Sequence, residues 1–412
     1  MKKFCLIVFL VVLLVVCMLL FLFLPVVPRG FGSPVEQWRK TYGPHGGSGV
    51  IQTADGGYAI IGSTATWNIH GYNNYMGVLI KTDSLGEVQW VNNYGSKKPM
   101  VVQLDDFSCL LNSIDPDSYG FIKVDVDGQE QWRNIYGPYG SVSRMGIQTS
   151  DGGFLLVYLV EKDPWHKDVF LVRVDSGGCE LWSKTLGTES NIYGVFVSGV
   201  VATDDGGFAL AGGWSQNGFW VDTGFWLAIY DFFGNLCVNN YYHISASSCG
   251  VTTVARTSDC GYILAGGGKE SGTWLVKVDS LGVEQWRRHN ADMVCFGSIK
   301  QTVDGGFVVG NYSMLLKFNA LGYMQWKISL GMEPRDVLVT SDGGYVLTGN
   351  IRDTVGLIKI VSASGSPDAS NTPNNNTMLT LSPALTAALI AVIMVIGVIV
   401  VIFYFKKYKH SH

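Results

Sequence analysis

The residues best suited to chemistry in this chain are aspartates at fixed spacing. Asp-Gly-Gly-aromatic stands at Asp55–Tyr58, Asp151–Phe154, Asp205–Phe208, Asp304–Phe307 and Asp342–Tyr345. Asp259–Tyr262 is a variant with Cys260 for the first glycine, and Leu104-Asp-Asp-Phe107 is a degenerate copy. A second series runs Lys81-Thr-Asp83, Lys123-Val-Asp125, Arg173-Val-Asp175, Ile229-Tyr-Asp231, Lys277-Val-Asp279, Lys317-Phe-Asn319 and Lys359-Ile-Val361. So many carboxylates could serve as acid and base, flank a glycosidic bond, or ligate calcium. Their recurrence argues for something plainer. A residue that returns at one place in every unit answers a need of every unit, and Asp in a turn accepts hydrogen bonds from nearby backbone N–H groups. Turn caps are therefore the expectation.

Other chemistry finds little support. Histidines 45, 70, 166, 243 and 289 fall in different units, with no spacing that faces two onto one metal. Asp125-Val-Asp-Gly-Gln-Glu130 falls well short of a twelve-residue calcium loop. There is no nucleophile elbow and no P-loop. No cofactor and no metal are expected, and an enzyme is not indicated. Carboxylates that pair only in space leave no local motif, so an anchored carbohydrate-active hydrolase stays as an alternative.

A third marker fixes the elements that hold these residues. Trp stands at 38, 90, 132, 182, 286 and 326, with Val238 in the equivalent place once. Four residues further on come Tyr42, Tyr94, Tyr136, Leu186, Tyr242, Asn290 and Leu330. Short runs rich in Val, Ile, Tyr, Phe and Thr, such as 58–61, 78–83 and 274–279, separate the turns and read as strands. Each unit thus holds four antiparallel strands, A to D, with Asp-Gly-Gly and Asp-Ser-Leu-Gly as the turns. The spacing and strand count fit propeller blades. The fold class expected is all-β, a seven-bladed β-propeller of four-stranded antiparallel blades. Only six units have a following D strand. The seventh is present at the other end, so residues 35–42 are expected to pair outside 354–361 and close the ring, removing two open edges.

The spacing Asp83…Gly86…Trp90, repeated as Asp175…Gly178…Trp182, resembles the tryptophan-docking repeats of quinoprotein-like propellers. With Thr-x-Asp-Gly-Gly-Tyr/Phe and Lys-x-Asp, the fuller pattern resembles a propeller-repeat family of bacterial and archaeal surface proteins, over about residues 35–361. That resemblance implies the fold. Quinone-dependent dehydrogenases of this superfamily commonly have eight blades and often a vicinal disulfide. Seven units and no Cys-Cys pair argue against that activity here. The Asp-box of sialidases is only partly similar.

The ends suggest a membrane. Phe4–Val27 is uncharged throughout, longer than a usual secretory core of ~7–15 residues, and lacks an Ala-x-Ala-like cleavage site. Residues 1–29 read as a signal anchor or signal peptide. Ala384–Phe405 spans ~33 Å as a helix, enough for a ~30 Å hydrocarbon core. Lys406, Lys407 and Lys409 follow it. Positive residues mark the cytoplasmic side. The organisation expected is a propeller ectodomain at 30–361, a disordered stalk at 362–377, a transmembrane helix at 378–405 and a basic cytoplasmic tail at 406–412, with the propeller extracellular at the cell membrane. The net charge of −4, with five of the lysines outside the two apolar runs, leaves the middle acidic and without the basic patch a nucleic-acid partner needs.

Function is expected where the copies disagree, in the B–C loops. Trp67, Tyr72 and Tyr75 mark one, Trp165 and His166 another, Trp214 and Trp220 a third. Flat apolar rings with polar edges suit a glycan or protein ligand. The competing reading is that these aromatics fold back to pack their own loops, which leaves an inert envelope scaffold. Asn311 and Asn375 open glycosylation triplets. Six cysteines lie between the apolar runs, and Cys249 with Cys295 is a weak candidate disulfide.

Overall fold

The computed structural model describes residues 34–361 apart from 45, 68–72, 95–100, 104–108, 116–117, 138–141, 164–165, 187–192, 216–222, 245–250, 269–271 and 291–296. The two apolar runs, the stalk and the basic tail lie outside the described residues, as do Asn375, Cys249 and Cys295. Among the described residues no helix is long and apolar enough to cross a membrane.

The chain opens with β1 (Val35–Pro44) and then builds seven sheets. Blade 1 is β2 (Gly47–Gln52), β3 (Tyr58–Trp67), β4 (Asn73–Thr82) and β5 (Val88–Asn93). Blade 2 is β6 (Val101–Gln103), β7 (Cys109–Asp115), β8 (Ser118–Val124) and β9 (Glu130–Ile135). Blade 3 is β10 (Val142–Gln148), β11 (Phe154–Asp163), β12 (His166–Val174) and β13 (Glu180–Leu186). Blade 4 is β14 (Tyr193–Ala202), β15 (Phe208–Ser215), β16 (Thr223–Tyr230) and β17 (Leu236–His243). Blade 5 is β18 (Val251–Arg256), β19 (Tyr262–Gly268), β20 (Gly272–Val278) and β21 (Glu284–Asn290). Blade 6 is β22 (Ile299–Gln301), β23 (Phe307–Asn311), β24 (Met314–Phe318) and β25 (Met324–Ser329). Blade 7 is β26 (Glu333–Val339), β27 (Tyr345–Ile351), β28 (Thr354–Val361) and, as its outer strand, β1.

The inner strands touch in the order β2, β6, β10, β14, β18, β22, β26 and back to β2. The protein is a seven-bladed β-propeller of four-stranded antiparallel blades, as its repeats require. Closure is also as expected: β1 pairs antiparallel with β28, with Trp38 opposite Lys359 and Tyr42 opposite Val355.

Burial explains the strand sequences. Every blade is packed between two others, so its middle strands are covered on both faces and read as near-continuous apolar runs. The outer strands β5, β9 and β25 instead alternate exposed and half-buried positions. The apolar clusters form between blades rather than within them. Ile51, Ile61 and Leu79 of blade 1 pack with Leu111, Ile122 and Val124 of blade 2. Val50 and Ile60 of blade 1 pack with Val346 and Leu357 of blade 7.

One irregularity recurs. Lys81 lies opposite Trp90, yet the next residue, Thr82, lies opposite Val88, so Gln89 bulges out. The same bulge falls at Arg173/Val174, Lys277/Val278 and Lys317/Phe318. Such a bulge twists the strand and re-aims the side chain beside it, here the tryptophan. β1 reproduces the bulge between Glu36 and Trp38, so the closing strand has the local geometry of the strand it replaces.

The register also corrects one alignment. Cys109 lies opposite Gln103 as Tyr58 lies opposite Gln52, so Cys109, and not Phe107, holds the aromatic position in blade 2.

Candidate functional site

The repeated aspartates occupy the edge of the ring formed by the A–B and C–D turns. In blade 1, Thr53 Oγ1 donates to Asp55 Oδ1 at 2.6 Å and Gly57 N donates to the same oxygen at 3.0 Å. Lys81 Nζ donates to Asp55 Oδ2 at 2.7 Å and to the Thr82 carbonyl at 2.9 Å. Lys81 belongs to the C strand, so the carboxylate ties the A–B turn to the neighbouring C–D turn. The same cluster forms from Thr257, Asp259 and Lys277, from Thr302, Asp304 and Lys317, and from Thr340, Asp342 and Lys359. Thr149, Asp151 and Arg173 repeat it with a guanidinium. Blade 4 keeps Thr203 and Asp205 but has Ile229 in place of the cation.

Burial works against the Asp55 carboxylate. The Lys81, Thr53 and Gly57 hydrogen bonds, with the Lys81 charge, outweigh it and hold its pKa down at about 2. Asp151, Asp259, Asp304 and Asp342 are likewise held low against burial by the same set of partners. Carboxylates so fixed are anionic at neutral pH, and a general acid would have to be raised instead.

The second series caps turns. Asp83 Oδ1 accepts from Leu85 N at 2.9 Å and Glu87 N at 2.8 Å. Asp125, Asp175, Asp231, Asp279 and Asn319 accept from the N–H groups two and four residues on in the same way. Asn319 serves as well as aspartate, so the turn needs an oxygen acceptor and no charge. Among the described residues no cluster of His, Cys, Asp or Glu could hold a metal ion.

The tryptophans join blades. Five of the six lie on the positive-φ glycine of the next C–D turn, where an added Cβ would meet Trp38 at Gly86 (3.1 Å), Trp90 at Gly128 (2.6 Å), Trp132 at Gly178 (3.0 Å), Trp182 at Gly234 (2.9 Å) and Trp286 at Gly322 (2.5 Å). Trp38, Trp286 and Trp326 also meet Tyr58, Phe307 and Tyr345 edge-on at about 6 Å. Where the residue four places on is tyrosine, it closes the joint. Tyr42 Oη donates to the Gly86 carbonyl at 2.8 Å and Tyr242 Oη to that of Gly282 at 2.6 Å. Burial above all, with Glu284 and Asp279 nearby, pushes the Tyr242 phenol up to about 12 against a hydrogen bond from Asn240.

The sequence-based ligand residues fare unevenly. Trp67, Tyr75 and His166 lie at the B–C ends of β3, β4 and β12, with their side chains outside the described set. Tyr72, Trp165 and Trp220 lie outside the described residues. Trp214 is 5% exposed and packs edge-on against Tyr241 at 5.5 Å and His243 at 4.8 Å. It belongs to the apolar packing of blades 3 and 4. Asn311 is 4% exposed, which leaves no room for a glycan in the folded blade.

Two features escape sequence reasoning. Arg256 forms a two-pronged ion pair with Asp204, binding blade 5 to blade 4. The other is a cleft at Asn290, and the break in the tyrosine series was its signal.

No family model matches the chain, and no curated protein is a significant match. Solved structures do resemble it. The Pan2 WD40 domain of Neurospora crassa is 10% identical over 79% of this chain and 95% of that one, with a TM-score of 0.54. A chain of the crystal structure of BBS1N in complex with ARL6DN is 10% identical over 80% and 97%, with a TM-score of 0.51. BamB from Moraxella catarrhalis is 13% identical over 80% and 98%, with a TM-score of 0.45. At such identity the likeness is one of fold. That fold is compatible with a binding or structural module.

Proposed function

We propose that this is a membrane-anchored extracellular β-propeller that acts as a binding module, with a protein or glycan ligand on the B–C loop face. One observation carries the reading. The polar residues that recur from blade to blade are consumed internally, by turn capping and ion pairs within the blade. Recognition therefore falls to residues that do not recur, and the richest of these are Trp67, Tyr72, Tyr75, Trp165, His166 and Trp220 in the B–C loops. The two apolar terminal runs support anchoring, with the lysine-rich tail inside. The resemblance to surface-protein propeller repeats with a quinoprotein-like signature points the same way.

The test is glycan-array and pull-down binding of the full chain against a Trp67→Ala, Trp165→Ala, Trp220→Ala triple variant. Loss of a specific ligand without loss of folding supports the reading. Turnover of a glycan, lost on changing one acidic pair, moves the protein to the hydrolase class. A second reading, an inert envelope scaffold, is favoured by Trp214, which packs among buried residues of blades 3 and 4. An unchanged set of bound partners in the triple variant establishes it.

A further inference from the structure

At four of the blade junctions, the residue four places after the tryptophan position is a tyrosine whose hydroxyl donates to a glycine carbonyl of the next blade. These are Tyr42 to Gly86 (2.8 Å), Tyr94 to Gly128 (2.5 Å), Tyr136 to Gly178 (2.5 Å) and Tyr242 to Gly282 (2.6 Å). The ring clusters with the apolar residue just before that turn, Val124 for Tyr94, Val174 for Tyr136 and Val278 for Tyr242. Between blades 5 and 6 the residue is Asn290, which pairs with Thr273 as Tyr242 pairs with Phe225.

The shorter side chain leaves a cleft of about 230 Å³ lined by Leu275, Arg288, Asn290, Phe318, Gly322 and Tyr323. Phe318 stands where three of those four junctions have valine and the Tyr42 junction has Thr82, and the cleft is what remains beside it. Among the described residues no side chain donates to the Gly322 carbonyl, whereas its counterpart at Gly128 accepts from both Tyr94 and Asn92. Arg288 replaces that asparagine. Its guanidinium is 5.4 Å from the Trp286 ring and 4.6 Å from the Tyr323 ring, with Nη1 bonded to the Arg287 carbonyl at 2.8 Å.

We propose that this cleft is a binding site for a phenolic ring, seated in the place the tyrosine holds at the other junctions. Its hydroxyl donates to the Gly322 carbonyl, and its face rests among Leu275, Phe318 and the Arg288 guanidinium, which favours an aromatic ring electrostatically. The volume suffices, since an apolar cavity of ~150 Å³ holds benzene. No carboxylate lines the cleft, so a neutral phenol fits better than an amine. The ring can come from a free phenol or from a tyrosine of a partner protein. This site uses none of the B–C loop aromatics named above and does not depend on the function proposed for them.

The test uses the full chain with two probes, 4-methylphenol and N-acetyltyrosinamide, read by ligand-observed NMR. Binding of both, or of 4-methylphenol alone, supports the site, the second result assigning it to small phenols. Toluene, which lacks the hydroxyl, is expected to bind about tenfold more weakly. Asn290→Tyr refills the cleft and should abolish binding while raising the melting temperature, and Asn290→Ala should keep it. Failure of both probes to bind, or equal binding by wild type and Asn290→Tyr, overturns the proposal.

Discussion

The indole of Trp38 rests on Gly86, where an added Cβ would stand 3.1 Å from its ring. Trp38 comes from the strand that opens the propeller and Gly86 from the first blade's C–D turn, so this contact locks the ring. Beside it Tyr42 Oη reaches the Gly86 carbonyl and Lys40 Nζ reaches Glu87 at 2.5 Å. The junction of blades 6 and 7 has no such lock, because the chain leaves β28 without a C–D turn. There Trp326 meets Tyr345 edge-on beside the apolar cluster of the two blades, and Arg39 bonds the Leu330 carbonyl at 2.7 Å.

Trp38→Ala is expected to destabilise the propeller by about 2 kcal/mol, less than for a fully buried indole because Trp38 is half-buried. Tyr42→Phe should cost about 1 kcal/mol through the lost hydrogen bond. Urea midpoints measure both. Deleting 35–42 uncovers β28 as an edge and should produce oligomers by size-exclusion chromatography. A monomeric deletion with an unchanged melting curve contradicts this account of closure.

Partners in the Asp–Lys clusters are not equivalent. The Lys317 side chain is 2% exposed and that of Asp304 35%. Asp304→Ala strands a buried ammonium and is expected to cost about 3 kcal/mol. Lys317→Ile copies Ile229 of blade 4 and leaves Asp304 its Thr302 and Gly306 bonds, so it should cost clearly less. Denaturant unfolding of the two variants checks the order, and equal costs contradict it.

Acid should unfold the propeller through these carboxylates. A carboxyl held below its unfolded value contributes stability that is present above the unfolded pKa, near 3.9, and lost as pH falls through the folded one. With Asp55 at about 2, stability should be flat above pH ~5 and fall between about 4 and 2. Asp55→Asn should make the slope in that window shallower. An identical pH profile would show that the unfolded state holds Asp55 as tightly.

Cys260 sits at φ 63°, where Gly56, Gly152, Gly206, Gly305 and Gly343 stand in other blades. A non-glycine residue in this region carries a steric cost of roughly 1–2 kcal/mol, which glycine relieves at some entropic expense. Cys260→Gly is therefore expected to stabilise by about 0.5–1 kcal/mol, measured by thermal melting. A lower melting temperature would instead show that its 3.3 Å contact with Asp204 matters more than the strain.

Fold was legible because its determinants are local. An Asp that accepts from residues two and four places on, with glycine at positive φ, makes the same turn wherever it occurs. Counting those turns gave the blades, and the unmatched Trp38 strand gave the closure. Tertiary structure decided what depends on register and on residues some forty positions apart. Strand pairing put Cys109 in the aromatic slot of blade 2 and turned Trp214 into the packing between blades. It also made Asn290 the edge of a cleft, since the space left by a missing tyrosine belongs jointly to two blades and is written in neither alone.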